Sequence, residues 1–480
     1  MVEKKALREH QIADLAFYIA TKRCLNLSDP ACQKTGSAVV YMDYLWHNCG
    51  VKTAFVMPMS LLRKNRDEIL EFTRFNSKDV QIVDGDRKRR ERQMQNREAK
   101  VFIMGFQQWS DNWQAVRSYQ PELNAVVVDE LHLGYAGYNA KRTTNWIMSM
   151  RQIAYYLGMT GTIIKGNLGS AYATIEVIEP RFYGSFGGFL GYHRLQGANG
   201  ETVGWTNHEK LSAVLARIAV RHTFTEVHGP EAKVIVTELC DMSPKQRTAY
   251  EEMEEEALVE LEDEFLEGAT PAVNAMRCRQ IMSHPETFGI AKGESTGKDE
   301  RLKIHLADAV QSGEPIAIFA CLIPEQERIV ELAKSMGLRT GLINGTVSSS
   351  RRAAIDHAFR AGLLDCVVAS ADTAGVGFNW NHLKVMVFCS LNYMDDSFVQ
   401  AYRRGIRGKR ETALLIYVLE YRDSIDQRIM QIIEQKSTEA NKVDPTKEIF
   451  RLSEQRRQDQ KEMFDKSKAY ARKISMTDLA

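Results

Sequence analysis

The chain has 480 residues, too many for one ordinary core, so two to four domains are expected. Its 44% hydrophobic and 26% charged residues suit a folded soluble protein, and a formal net charge of +1 excludes a globally basic nucleic-acid binder while leaving room for a local basic groove. Eight scattered cysteines without a C-x-x-C pair argue against structural zinc and a disulfide framework; no apolar run reaches membrane-span length and the start is charged, so an intracellular protein with no membrane association is expected.

In chain order, Leu7-Arg8-Glu9-His10-Gln11 precedes a helix, and the amide of Gln11 offers the one donor and one acceptor that an adenine edge requires. A short strand, Cys24 to Leu27, leads into Ser28-Asp29-Pro30-Ala31-Cys32-Gln33-Lys34-Thr35-Gly36 and then an apolar helix. This is the position of a phosphate-binding loop. The Lys34 ammonium would contact β- and γ-phosphates and the Thr35 hydroxyl would ligate Mg²⁺. The pattern G-x-x-x-x-G-K-[ST] wants glycine where Ser28 and Gln33 stand, and a left-handed Gln would cost about 1 kcal/mol.

Strands are predicted at Thr53–Met57, Val101–Met104, Ala125–Val128 and Ala154–Gly158. The first ends in Pro58-Met59-Ser60, where a hydroxyl can meet a nucleic-acid phosphate; Arg63, Lys64, Arg66 and the run Arg87–Arg90 follow. The third ends in Asp129-Glu130-Leu131-His132. Paired carboxylates at the C-terminal end of a buried parallel strand can hold a hydrated Mg²⁺ (Asp129) and activate an attacking water (Glu130). The fourth ends in Met159-Thr160-Gly161-Thr162, whose hydroxyls can sense those acids. From about Glu176 to Gly297 a Gly- and aromatic-rich patch gives way to charged helical sequence; the acidic run Glu251–Glu267 is predicted as an amphipathic helix with a solvated face.

A second α/β stretch has predicted strands at Ile316–Ala320, Arg339–Ile343, Cys366–Ser370, Val385–Cys389 and Ala413–Leu419. It carries Ser370 and the glycines Gly375 and Gly377 before Asn379, then Gln400-Ala401-Tyr402-Arg403-Arg404-Gly405-Ile406-Arg407. Arg404 and Arg407 are predicted one helical turn apart on one face, able to project into a phosphate. The tail after Asn441 is polar and helical in pattern.

Taken in order, these motifs resemble helicase superfamily 2, and within it the Swi/Snf-like double-stranded DNA translocases. Met159-Thr160-Gly161-Thr162 is similar to L-T-G-T-P, Arg277–Pro285 to L-R-Q-I-C-N-H-P, Thr373–Asn379 to A-G-G-L-G-I-N and Gln400–Arg407 to Q-A-x-G-R-x-x-R; Leu342–Thr346 is a further cue. The resemblance implies an α/β fold of two RecA-like parallel-sheet lobes, with a helical insertion between them and a helical C-terminal tail. The expected domains are 1–180 (ATP-binding lobe), 181–297 (helical connection), 298–440 (second lobe) and 441–480 (tail).

Carried over, Gln11 faces adenine, while Ala31, Cys32, Gln33, Lys34 and Thr35 surround the phosphates. Thr35 and Asp129 hold Mg²⁺, Glu130 activates water, and Gln400, Arg404 and Arg407 complete the site from the second lobe. Thr160, Thr162, Gly375 and Gly377 couple the lobes, and Ser60, Thr346, Ser370 and Asn379 fall in DNA-contacting segments. The expected cofactors are ATP and Mg²⁺, the partner double-stranded DNA, the state a monomer, and the setting a bacterial or phage-infected cytoplasm. Departures are Ile163 for the family proline, Arg403, Asp372 and, foremost, Ala31 and Gln33 in the phosphate loop. That last departure motivates a second hypothesis, a non-hydrolysing DNA-binding scaffold; an RNA helicase is a third.

Overall fold

A computed structural model describes residues 4–134, 141–161, 163–164, 168–198, 200, 202–254, 273–290, 293–374, 378–391, 395–406, 410 and 412–443. They form two compact units. One comprises the residues up to Glu231 with Lys442 and Val443; the other runs from Ala232 to Ile406 and takes in Arg410 to Asn441. Thr162, Gly375, Gly377 and Arg407, most of the acidic run and the tail beyond residue 443 lie outside the described residues.

The first unit contains β1 (Arg23–Asn26), β2 (Lys52–Met57), β3 (Val80–Ile82), β4 (Val101–Gly105), β5 (Leu123–Val128), β6 (Tyr155–Met159), β7 (Arg194–Gln196), β8 (Thr202–Trp205) and β9 (Ala219–Val220). Seven of these form one sheet in the order β3-β4-β2-β5-β6-β1-β9, parallel throughout, while β7 and β8 pair as an antiparallel ribbon. β2 and β4 are buried at every residue, because helices cover both faces of a parallel sheet and leave no polar alternation. Val56, Phe102, Met104, Val126 and Val128 pack with Trp109 and Trp146 from the helices Phe106–Tyr119 and Lys141–Met150. The buried Trp109 indole donates to Ser149 Oγ at 3.0 Å, which satisfies its polar end.

Register sets where the site lies. Asn26 is level with Met159, Gly158 with Val128, Val128 with Val56, and Met57 with Gly105. The segments leaving β1, β6, β5, β2 and β4 therefore emerge together at the C-terminal edge, where open α/β sheets bind ligands.

The second unit contains β10 (Lys233–Cys240), β11 (Ile316–Phe319), β12 (Thr340–Ile343), β13 (Cys366–Ala369), β14 (Val385–Phe388) and β15 (Leu414–Tyr421), parallel throughout in the order β10-β15-β14-β11-β13-β12. Its core includes Ile318, Val368, Val387, Leu419 and Tyr421. A buried Lys298 ammonium lies 2.7 Å from Asp426 Oδ2 and donates to the Cys389 carbonyl at 2.7 Å. It ties the first turns of the helices Gly297–Ser312 and Ile425–Val443 to the end of β14.

The stretch 181–297, expected to be helical, also supplies strands: the β7–β8 ribbon, β9 on the first sheet and β10 on the second. β9 has two residues and β3 three, too few for a period to show; β10 is an edge strand whose Lys233, Thr237 and Glu238 break the apolar run. Among the described residues no helix is long and apolar enough to cross a membrane.

Candidate functional site

Between β1 and the helix Lys34–Cys49 the chain passes through two left-handed residues, Ala31 (φ 73°) and Gln33 (φ 58°, ψ 37°). Neither is glycine, so each costs about 1–2 kcal/mol against right-handed backbone. Lys34 folds over the loop and donates to the carbonyls of Ser28 (2.6 Å) and Asp29 (3.1 Å). Among the described residues the backbone N–H groups of Gln33, Lys34 and Thr35 have no hydrogen-bond partner. Free amides at the positive end of a sixteen-residue helix suit an anion. Thr35 is half-buried in that first turn. The thiol of Cys32 points to the His222 carbonyl at 3.6 Å, and its N–H donates to the Asp29 carbonyl at 3.2 Å.

Gln11, expected to face adenine, is bonded within the protein. Its Oε1 accepts from the Arg8 N–H at 2.8 Å and its Nε2 donates to the Gln33 carbonyl at 2.8 Å, so both amide functions are engaged within the protein. The physical reason is Gly36: a Cβ there would lie 2.4 Å from Gln11 Nε2, and its absence lets Gln11 seat against the helix start.

The two acids follow β5. Asp129 donates its N–H to the Val56 carbonyl at 2.9 Å, and its Oδ1 accepts from the Glu130 N–H at 3.0 Å. Burial and then the neighbouring Glu130 push the Asp129 carboxyl up to about 7, while the ammonium groups of Lys34 and Lys64 pull it down. Lys34 therefore acts electrostatically on Asp129 although 95 positions separate them in the sequence. Glu130 is a third left-handed non-glycine residue (φ 50°, ψ 51°), as residues at functional sites often are. Its Oε2 lies 3.5 Å from His132 Nδ1, which is 2.9 Å from the buried Thr160 hydroxyl. Gly161 packs on the phosphate loop, since a Cβ there would lie 2.8 Å from Pro30 Cδ.

Several loop partners were not foreseen from the sequence. β9 pairs with β1, and the segment behind it wraps the loop: Leu27 and Asp29 donate to the carbonyls of Val220 and His222, and Ser28 Oγ accepts from the His222 N–H at 3.0 Å. Arg221 Nη2 donates to Asp29 Oδ1 at 2.9 Å, Phe224 N–H to Asp29 Oδ2 at 3.0 Å, and His228 Nε2 lies 3.0 Å from the Ala31 carbonyl. From the first helix, His10 Nε2 lies 3.3 Å from the Cys32 carbonyl, and Asp14 bonds His222 Nε2 (2.9 Å) and Asn26 Nδ2 (3.0 Å). The only available signal was polar residue type, because these partners come from positions up to 208 apart.

Ser60 is exposed in the turn leaving β2. In the second unit, Thr346 donates from N–H and Oγ to Asn344 Oδ1 (3.0 and 2.7 Å) beyond β12, Ser370 follows β13 with its Oγ accepting from the Thr373 N–H at 3.3 Å, and Asn379 is exposed. β12 and β13 are level at Ile343 and Ala369, so Thr346 and Ser370 share one sheet edge. Gln400 and Arg404 are buried. The expected helical face for the arginines is corrected: the helix Asp395–Tyr402 stops first, and Arg404 sits in a turn whose N–H donates to the Ala401 carbonyl. Gly405 follows at once, and its poor helix propensity favours the break. Arg87–Arg90 is an exposed helix face capped by Asp86.

Residues 6–287 match the SNF2-related domain, and residues 297–409 match the helicase conserved C-terminal domain. The chain belongs to the SNF2-related family. This SNF2-related chain is 20% identical over 388 residues to an uncharacterized ATP-dependent helicase of Mycoplasma genitalium, covering 79% of this chain and 36% of that protein. It is also 20% identical over 403 residues to an uncharacterized ATP-dependent helicase of Mycoplasma pneumoniae, covering 82% and 37%. The SNF2-related chain thus spans little more than a third of the length of these curated relatives. The solved helicase domain of Hef from Pyrococcus furiosus has a similar fold, with a TM-score of 0.51 at 14% identity over 88% of this chain and 97% of that one. The two parallel sheets are those of RecA-like lobes.

Proposed function

We propose that this chain is an ATP-dependent double-stranded DNA translocase. The carrying observation is that one sheet edge gathers the Lys34 loop and the Asp129–Glu130 pair, with the Lys34 ammonium acting on the Asp129 carboxyl. Free amides of Gln33, Lys34 and Thr35 receive the triphosphate, and Lys34 leaves the carbonyls of Ser28 and Asp29 to meet it. Glu130, with one oxygen near His132, orients a water and accepts its proton. Gln400, Arg404 and Arg407 supply the remaining charge stabilisation from the second lobe.

Mg²⁺ fits the donors present. The Thr35 hydroxyl and Asp129 carboxylate are hard oxygen ligands, and the like charge of Glu130 beside Asp129 favours a cation there. Bound with ATP, the ion neutralises phosphate charge. ATP binding and hydrolysis alternate the grip of the two lobes on DNA, with Ser60, Thr346, Ser370 and Asn379 touching the phosphate backbone and Thr160 relaying the state of Glu130.

The test is ATP turnover of the native chain and of Glu130→Gln, with duplex DNA, single-stranded DNA and RNA. Duplex DNA should stimulate the native chain most, in a salt-sensitive way, and the variant should be inactive. A second reading, a DNA-binding scaffold that does not hydrolyse ATP, draws on the left-handed Ala31 and Gln33 in the phosphate loop. Equal background rates for both proteins would establish it, and stimulation by RNA above duplex DNA would overturn the substrate assignment.

A further inference from the structure

The phosphate loop lacks glycine at two left-handed positions, yet its three consecutive carbonyls are each held by a side chain. Ala31 O faces His228 Nε2 at 3.0 Å, Cys32 O faces His10 Nε2 at 3.3 Å, and Gln33 O accepts from Gln11 Nε2 at 2.8 Å. A carbonyl oxygen only accepts, so each histidine presents its N–H there. We infer that His228 and His10 are positioning residues that hold this loop in the left-handed conformation glycine would otherwise provide. The inference rests on the loop being the triphosphate site.

Peptide planarity makes the consequence specific. In a trans peptide the carbonyl of one residue and the N–H of the next point opposite ways. Holding the Cys32 and Gln33 carbonyls outward aims the Gln33 and Lys34 N–H groups the other way, and these are donors with no partner among the described residues. The Ala31 carbonyl in the same manner directs the Cys32 N–H, which closes the turn onto the Asp29 carbonyl at 3.2 Å.

The clamp is itself anchored. His228 ends the short helix Phe224–His228, whose Phe224 N–H is fixed by Asp29 and whose start is closed by the reciprocal bonds of Thr223 and Glu226. The His10 ring packs edge-on to His222 at 5.3 Å, and His222 is held by Asp14 at 2.9 Å. The clamp thus joins two segments about two hundred positions apart onto one seven-residue turn.

The test measures equilibrium binding of a fluorescent ATP analogue with Mg²⁺ to the full chain. His228→Ala should weaken binding about tenfold, equivalent to about 1.4 kcal/mol. His228→Gln keeps an N–H at the Nε2 position and should stay within about threefold of the native chain. The deciding variant is His228→Ala/Ala31→Gly: glycine removes the left-handed cost, so most of the lost affinity should return. Native-like binding by His228→Ala, or a folded His228→Ala that Ala31→Gly does not rescue, overturns the inference. Should His228→Ala fail to fold, His10→Ala with and without Gln33→Gly reads the same coupling one peptide further on. A native chain that binds no nucleotide overturns the site assignment itself, an outcome distinct from a native chain that binds and variants that match it.

Discussion

His132 Nδ1 lies 2.9 Å from the Thr160 hydroxyl, which joins the segment after β5 to the segment after β6. The same ring nitrogen is 3.5 Å from Glu130 Oε2. We expect a change of charge on Glu130 to be felt at Thr160 through this ring. With His132→Ala, nucleotide affinity should stay near native while DNA-stimulated turnover falls about tenfold, the scale of one lost hydrogen bond. Steady-state turnover with and without duplex DNA, beside a nucleotide titration, separates the two.

Glu130 holds a left-handed backbone just after β5, a conformation that costs a non-glycine residue free energy. Glu130→Gln keeps the shape and removes the carboxylate proposed as the base. Turnover should fall at least about a hundredfold, with nucleotide affinity retained or improved. Rapid-quench single-turnover measurements locate the loss in the chemical step; a loss in binding instead would contradict the assigned role.

Asp129 carries a stability signature. Its folded carboxyl is pushed up to about 7 by burial and then by Glu130. The unfolded chain loses that proton near the ordinary value of about 3.9, so ionisation destabilises the fold progressively as pH rises between those values. Asp129→Asn removes the penalty. The variant should melt above the native chain at about pH 8, and the gap should close as pH falls through 7 toward about pH 5. Melting temperatures across that range, in the absence of nucleotide, check the sign.

Lys298 and Asp426 form an ion pair with both side chains nearly inaccessible, 5% and 8% exposed. Lys298→Met leaves Asp426 buried without its cation and should cost about 3–5 kcal/mol. The double variant Lys298→Met/Asp426→Leu should recover much of that loss. Denaturant midpoints of the three proteins decide it, and a harmless single variant would show that the pair contributes little.

Strand positions were largely legible in the sequence, because buried parallel strands are continuous apolar runs: Val126–Val128, Val101–Met104 and Cys366–Ala369 announce themselves without any partner. The acids and the Lys34-Thr35 pair were legible for a related reason, since chemistry at a strand end needs particular residue types in adjacent positions. The edge strand β10 and the two-residue β9 were not, because pairing with β15 and β1 rather than local pattern makes them strands. The arginine segment was read as helix, and the turn at Arg404 and Gly405 shows how local context ends one within a residue or two.

By itself the sequence determined the family, the order of motifs and which side chains carry charge, since these depend only on residue type and spacing. The tertiary structure alone decided how Ala31 and Gln33 are tolerated without glycine and what Gln11 grips. It also decided that His10, His222 and His228 surround the loop. Hydrogen bonds depend on distances of a few ångströms in space, and segments nearly two hundred positions apart acquire such distances only when a sheet sets β9 beside β1.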